Sequence, residues 1–123
     1  HPYKFDVICR PDLIPKGTQV VNNLQLGRVL TGEQKLKTPI KSMMCWNTNP
    51  VTQATESEKI LEGLKREDLF LVSAEHFISD TAAFADILLP ASMGAEQEDI
   101  ILSWGHLYLT YNDKCVESPG EYS

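Results

Sequence analysis

The stretch Ile40-Lys41-Ser42-Met43-Met44-Cys45-Trp46-Asn47-Thr48-Asn49-Pro50 sets the reading of the chain. It is a short, largely apolar run closed at Asn47-Thr48-Asn49 by a turn that Pro50 terminates, the pattern of a buried strand. A helix is expected next. Thr55 and Glu58 have capping-box spacing, Ile60, Leu61 and Leu64 share one helical face, and Glu62 precedes Arg66 by four residues. Leu69-Phe70-Leu71-Val72-Ser73-Ala74 is a second buried strand, with Glu75-His76-Phe77 at its carboxyl end. Asp80 is placed to cap a short helix over Thr81-Ala82-Ala83-Phe84-Ala85, and Ile87-Leu88-Leu89 before Pro90 is a third strand. The order β-α-β-α-β with buried strands predicts an α/β fold: a three-layer α-β-α, Rossmann-like, mainly parallel sheet joined by right-handed crossovers.

Upstream of this core, Asn22 or Asn23 can cap a helix from Leu24 to Leu30 that ends near Gly32. Before it, Arg10-Pro11-Asp12-Leu13-Ile14-Pro15-Lys16-Gly17 is irregular, broken by two prolines and a glycine. Downstream, residues 104–110 alternate well enough for an edge strand. A length of 123 residues allows one domain, since domains run to about 100–150 residues. Residues 1–38 form an irregular and helical lead-in, 39–91 the β-α-β-α-β core, and 92–123 an acidic loop and edge strand. The start, His1-Pro2-Tyr3-Lys4, has no initiator Met and no signal-peptide character, and the end reads as a loop. The chain is therefore expected to be a section of a longer polypeptide.

Composition narrows the function classes. Hydrophobic residues at 42% and charged residues at 23% exclude disordered and fibrous chains. The longest apolar runs fall far short of the ~20 residues a membrane span needs. The net charge of −6 is unevenly spread: residues 1–50 hold seven bases and three acids, a net of +4, and the remainder holds four bases and fourteen acids, a net of −10. That imbalance argues against nucleic acid as a partner, because phosphate backbones are held by many bases on one face. Cys9, Cys45 and Cys115 show neither disulfide nor zinc spacing; three unpaired thiols favour a reducing compartment such as the cytoplasm.

Parallel sheets bind ligands outside the carboxyl ends of their strands, where three loops should converge. Asn47-Thr48-Asn49-Pro50 offers amide and hydroxyl groups, unless it is an ordinary turn. Glu75 stands where a nucleotide ribose is held, unless it is a solvated acid. No Gly-x-Gly-x-x-Gly follows the first strand, which counts against a nicotinamide or flavin site. The third loop, Ala91-Ser92-Met93-Gly94-Ala95-Glu96-Gln97-Glu98-Asp99, is acidic without the ligand alternation of a calcium loop. His76 and His106 have no nucleophile beside them, so they are read as structural or ligand-contacting. Trp46 and Trp104 are read as core. A free-standing, non-catalytic α/β module binding a nucleotide or other anion fits these features.

The run Asn47-x-Asn49-Pro50, Arg66-Glu67-Asp68-Leu69-Phe70, Glu75-x-Phe77-x-x-Asp80-Thr81-Ala82-x-x-Ala85-Asp86-Ile87-x-Leu89-Pro90-Ala91, Glu96 and Ser103-Trp104-Gly105-His106 resembles the molybdopterin oxidoreductases, the dimethyl sulfoxide reductase and formate dehydrogenase family. The similarity is clearest from about Pro39 to Glu121. It implies an α/β section of a molybdenum- or tungsten-dependent catalytic subunit that helps grip a molybdopterin guanine dinucleotide. The cofactor-binding residues so implied are Asn47, Thr48, Asn49 and Pro50 in the first loop, Ala74, Glu75 and Phe77 in the second, Thr81 at the following helix start, and Gln97 in the third. The family's metal ligand and iron–sulfur cysteines have no counterpart motif here; an iron–sulfur cluster, if held, belongs to the parent. Partners implied are the rest of the catalytic subunit and an electron-transfer subunit. No catalytic residue and no metal ligand is assigned, and the isolated chain is expected to be inert.

Overall fold

The computed structural model describes residues 11–102 and 107–120. Three strands, β1 (Ser42–Trp46), β2 (Phe70–Glu75) and β3 (Ile87–Pro90), form one parallel sheet in the order β1-β2-β3. Three short helices accompany them: α1 (Leu26–Leu30), α2 (Pro50–Gln53) and α3 (Ser57–Leu64). A single 3-10 turn, Ala82–Phe84, crosses from β2 to β3. The predicted α/β class and parallel strand order stand, while the second helix, expected over 81–85, is this 3-10 turn. A separate antiparallel pair follows, β4 (Asp99–Leu102) with β5 (Leu109–Asn112). β5 overlaps only the end of the predicted strand at 104–110, and β4 was not foreseen. Cys9, Trp104 and His106 lie outside the described residues.

Register separates the sheet into two faces. Met43 pairs with Leu71, and Cys45 with Ser73; Met44 pairs with Val72 and Val72 with Ile87, while Trp46, Ala74 and Leu89 align likewise. Because registered partners point to the same side, Met43, Cys45, Leu71 and Ser73 share one face and Met44, Trp46, Phe70, Val72, Ile87 and Leu89 share the other. The first face meets the core, where Leu30, Cys45, Val51, Ile60, Leu64, Leu69 and Leu71 pack together. The strands were expected to be buried on both sides. Instead, β3 is exposed throughout and Trp46, read from sequence as core, is 77% exposed. For the face of Trp46 the reason is topological, since two successive right-handed crossovers that advance in one direction place both connections on the same face. Leu88, in register with Ser73 on the covered face, is exposed because β3 is an edge strand.

Local chemistry shifts several boundaries. Pro50 does not simply end the β1 turn; it opens α2 from the first helical position, where its missing N–H costs nothing. The expected capping box at Thr55 and Glu58 does not form, because the Thr55 hydroxyl donates to the Leu24 carbonyl at 3.2 Å. The helix begins after Glu56, a left-handed residue with φ 58°. Its carboxylate receives Arg28 through two bonds of 2.8 and 3.0 Å and Lys59 at 3.2 Å. The Arg28 bond above all pulls the Glu56 pKa down to about 2. Upstream, the side chain of Asn22 caps Leu24 at 3.0 Å, and a 3-10 turn over Asn23–Gln25 leads into α1. Before the β2–β3 crossover it is Ser79, not Asp80, that accepts from the helical N–H of Ala82, at 3.3 Å.

Arg66 ties the lead-in to the sheet. Rather than pairing with Glu62 along the helix, it donates to the Leu30 carbonyl at 2.9 Å and the Ile40 carbonyl at 3.2 Å while gripping Asp68 with two nitrogens. Asp68 also receives Lys41 at 2.8 Å. Together these bonds hold its carboxyl well below the usual carboxylate range. Among the described residues no helix is long and apolar enough to cross a membrane.

Candidate functional site

The carboxyl ends of β1 and β2 and the segment after β3 enclose a cleft of about 570 Å³. Its β1 wall is Trp46 and Asn47, its β2 wall Ala74, Glu75 and His76, and its far wall Ala91, Ser92, Gln97 and Asp99. Backbone bonds join the walls: the Asn47 N–H donates to the Ala74 carbonyl at 3.3 Å, and the Ala91 N–H to the Glu75 carbonyl at 3.2 Å. Asn47 sits at φ 52°, a left-handed conformation that Asn tolerates better than most side chains and that turns the chain sharply off the strand. His76 bonds through Nε2 to the Ser92 carbonyl at 2.9 Å. A carbonyl only accepts, so Nε2 carries a proton and, in the neutral ring, Nδ1 is an acceptor.

Of the residues implied from sequence, Asn47, Ala74, Glu75 and Gln97 line this cleft. Phe77 lines an adjoining hollow of about 220 Å³ with Ile78, Leu88, Leu89 and Pro90, and the two hollows share Glu75 and His76. Thr48, Asn49, Pro50 and Thr81 stand behind the wall rather than on it. The side-chain carbonyl of Asn49 accepts from the Thr81 hydroxyl at 2.6 Å and from the Thr81 N–H at 3.2 Å. The same hydroxyl accepts from the Val51 N–H at 3.1 Å, and Thr81 is wholly buried. Gln53 Oε1 takes both the Thr48 hydroxyl at 3.0 Å and the Asn49 N–H at 2.9 Å.

Four cleft residues escaped the sequence reading as site residues: Trp46, Ala91, Ser92 and Asp99. Trp46 had a usable signal, because it alternates with Cys45 at the strand end and must face away from whatever Cys45 faces. Asn112, on β5, is a support that sequence could not offer: its side-chain amide donates to the Gly94 carbonyl and, at 2.9 Å, to the Gln97 carbonyl. The N–H groups of Cys115 and Val116 reach the Ala95 carbonyl at 2.8 and 3.1 Å, so the β5 segment holds the Gln97 loop in place.

The cleft is chemically one-sided. It presents the carboxylates Glu75 and Asp99 and the amides Asn47 and Gln97, and among the described residues its lining holds neither Lys nor Arg. Such a surface accepts hydrogen bonds from N–H and O–H groups, its amides can also donate, and its described residues offer no Lys or Arg to a phosphate. Cys45, below the β1 wall, is buried, and that burial, with the nearby Glu75 charge, pushes its thiol pKa up. It is a packing residue rather than a nucleophile. A further hollow of about 330 Å³ lies away from the strand ends, lined by residues such as Val29, Leu36, Ile40 and Arg66, but the guanidinium there is already occupied. Among the described residues no group of three or more His, Cys, Asp or Glu could hold a metal ion.

Comparison with known proteins extends this geometry. Residues 13–122 match the family model described as molybdopterin oxidoreductase. A probable oxidoreductase of Bacillus subtilis (strain 168), YoaE, is 40% identical over 120 residues, which is 97% of this chain and 17% of that protein. The dimethyl sulfoxide reductase DmsA of Escherichia coli (strain K12) is 35% identical over 95 residues, 70% of this chain and 11% of DmsA. A putative dimethyl sulfoxide reductase chain of the same organism, YnfE, is 35% identical over 106 residues, 82% of this chain and 13% of YnfE. The chain thus spans less than a fifth of the length of the relatives it matches. No solved structure matches it significantly.

Proposed function

Since the chain belongs to the molybdopterin oxidoreductase family, we propose that its strand-end cleft holds the nucleoside end of a molybdopterin guanine dinucleotide within a larger molybdenum- or tungsten-dependent oxidoreductase. The observation that carries this reading is the lining: carboxylates and amides at the carboxyl ends of a parallel sheet, with no Lys or Arg among the described residues. The guanine N1–H, its amino group and the ribose hydroxyls are all donors, so Glu75 and Asp99 fit that end of the cofactor by charge and hydrogen-bonding type. The volume suits it too, since small-ligand sites run to roughly 300–1,000 Å³. The phosphates would be held by backbone donors and by basic residues elsewhere in the polypeptide.

When bound, the cofactor supplies the redox chemistry at its metal and dithiolene sulfurs, and this chain's residues supply positioning. Asn47 and Gln97 orient the ligand from opposite walls, Glu75 accepts its donors, and Phe77 offers an apolar face beside it. The parent enzyme would pass electrons between a small substrate, such as formate, an oxyanion or an S-oxide, and a redox partner subunit, with any iron–sulfur cluster lying outside these 123 residues.

Replacing Glu75 tests the reading. In the full-length polypeptide, Glu75→Ala should lower molybdenum and guanine content per subunit by weakening retention roughly ten- to hundredfold, the range for a charge-assisted hydrogen bond. The melting temperature should stay near that of wild type. Unchanged metal and guanine content would count against the cleft.

A further inference from the structure

We propose that Thr81 and Asn49 are positioning residues, a partly buried clamp that helps set the spacing of the cleft walls without touching the ligand. The inference rests on the cofactor reading above and deepens it. Both residues belong to loops that follow different strands, Asn49 after β1 and Thr81 after β2. Three hydrogen bonds converge on two side-chain oxygens: Thr81 Oγ1 donates to Asn49 Oδ1 at 2.6 Å, the Thr81 N–H donates to the same oxygen at 3.2 Å, and the Val51 N–H donates to Thr81 Oγ1 at 3.1 Å.

The hydroxyl thus donates once and accepts once, which a threonine or serine can do and no other side chain of similar size can. Thr81 is completely buried, so its hydroxyl has no water as a substitute partner, while Asn49 is half-buried. On the other side of the loop, Gln53 Oε1 receives the Asn49 N–H and the Thr48 hydroxyl. Asn49 is therefore pinned from both ends, and the left-handed Asn47 two residues earlier inherits a fixed position. Since Asn47 belongs to the β1 wall and Glu75 to the β2 wall, the Asn49–Thr81 bond adds a side-chain tie between the loops that follow them to the Asn47 N–H bond with the Ala74 carbonyl. A direct contact role for Thr81 would need it on the cleft surface, where it is not.

The test uses the full-length polypeptide and compares Thr81→Val, Thr81→Ser, Asn49→Ala and the double variant Thr81→Val/Asn49→Ala. Ile60→Val, a core change in α3 away from the cleft, serves as a stability control. Molybdenum and guanine per subunit are measured after prolonged dialysis, below every variant's melting temperature. Hydrogen exchange is followed in the peptide spanning residues 47–53.

Thr81→Val and Asn49→Ala should each weaken retention about tenfold, as one ordinary hydrogen bond is worth. The double variant should lose clearly less than the sum of the two singles, because both break the Thr81 hydroxyl–Asn49 contact. Thr81→Ser should restore wild-type retention, and exchange in the 47–53 peptide should rise in Thr81→Val but not in Glu75→Ala. Wild-type retention in Thr81→Val, equal loss in Ile60→Val, fully additive losses, or unchanged exchange would each overturn the clamp. Glu75→Ala measured alongside separates the two ideas. Loss there with retention in Thr81→Val removes the clamp and leaves the cleft; retention in Glu75→Ala removes the cleft assignment, and the clamp as a cofactor device with it.

Discussion

A non-glycine residue at positive φ at the end of a strand puts its Cβ close to the following carbonyl, which costs roughly 1–2 kcal/mol unless the surroundings compensate. Asn47, at φ 52°, accepts that cost while facing the cleft. Its backbone and its amide are thus separable. Asn47→Gly should keep the melting temperature or raise it slightly, whereas Asn47→Ala should destabilise by about 1 kcal/mol, and both should lower cofactor retention to a similar degree. Thermal melts and guanine content of the full-length polypeptide read these effects apart; an alanine variant as stable as the glycine variant would remove the backbone argument. At this scale the sequence was only half legible. Glu75 and Asn47 were singled out by their place at strand ends, and Gln97 only by the family resemblance. Thr81 and Asn49 looked equally ligand-like, since residue type cannot say that a hydroxyl 32 positions away will consume the amide oxygen.

Helices α1 and α3 meet through glycine. A Cβ on Gly63 would lie 2.4 Å from the Leu30 Cβ, and one on Gly27 would lie 2.9 Å from the Lys59 Cβ. Glycine inside a helix usually weakens it by about 1 kcal/mol relative to alanine, so Gly63→Ala would ordinarily stabilise. Here the sign reverses. Inserting a methyl group against Leu30, which is fully buried, should force the helices apart and cost about 1–3 kcal/mol. Chemical denaturation of the full-length polypeptide should show a lower midpoint; an unchanged or higher one would mean that the helices do not approach as described. The elements themselves were largely legible, because Met43 to Trp46 and Leu69 to Ala74 are too short and apolar to be anything but strands beside an amphipathic helix. Their starts were not. The α3 boundary moved because Thr55 is bound by Leu24, a residue 31 positions earlier, and because Arg28 and Lys59 hold Glu56 in a left-handed turn. Such partners are set by tertiary packing, which local spacing does not contain.

At the scale of the whole molecule, the sheet is finished on one side only. The strand order β1-β2-β3 does not reverse, so right-handed crossovers cover a single face and leave Met44, Trp46, Phe70, Ile87 and Leu89 between 43% and 77% exposed on the other. Parallel sheets occur almost only with both faces covered, and fully burying such a side chain is worth roughly 1.5–3 kcal/mol. The relatives extend far beyond the matched segment, since 97% of this chain corresponds to 17% of YoaE. The open face should therefore be covered by helices from polypeptide beyond these residues, completing the third layer of the α-β-α arrangement expected from the strand order. Trp46 would sit at the margin of that face, where sheet and cleft meet. Single cysteines placed at Met44 and Phe70 in the full-length polypeptide should react with a maleimide about a hundredfold more slowly in the native state than in denaturant, as expected if exposing the face requires local opening at a cost of ~3 kcal/mol. A cysteine at Glu62, exposed on α3, should react at nearly the denatured rate. Native labelling at Met44 and Phe70 as fast as at Glu62 would show that the face stays bare. Protection that vanished on dilution would point instead to a second copy of the chain as the cover.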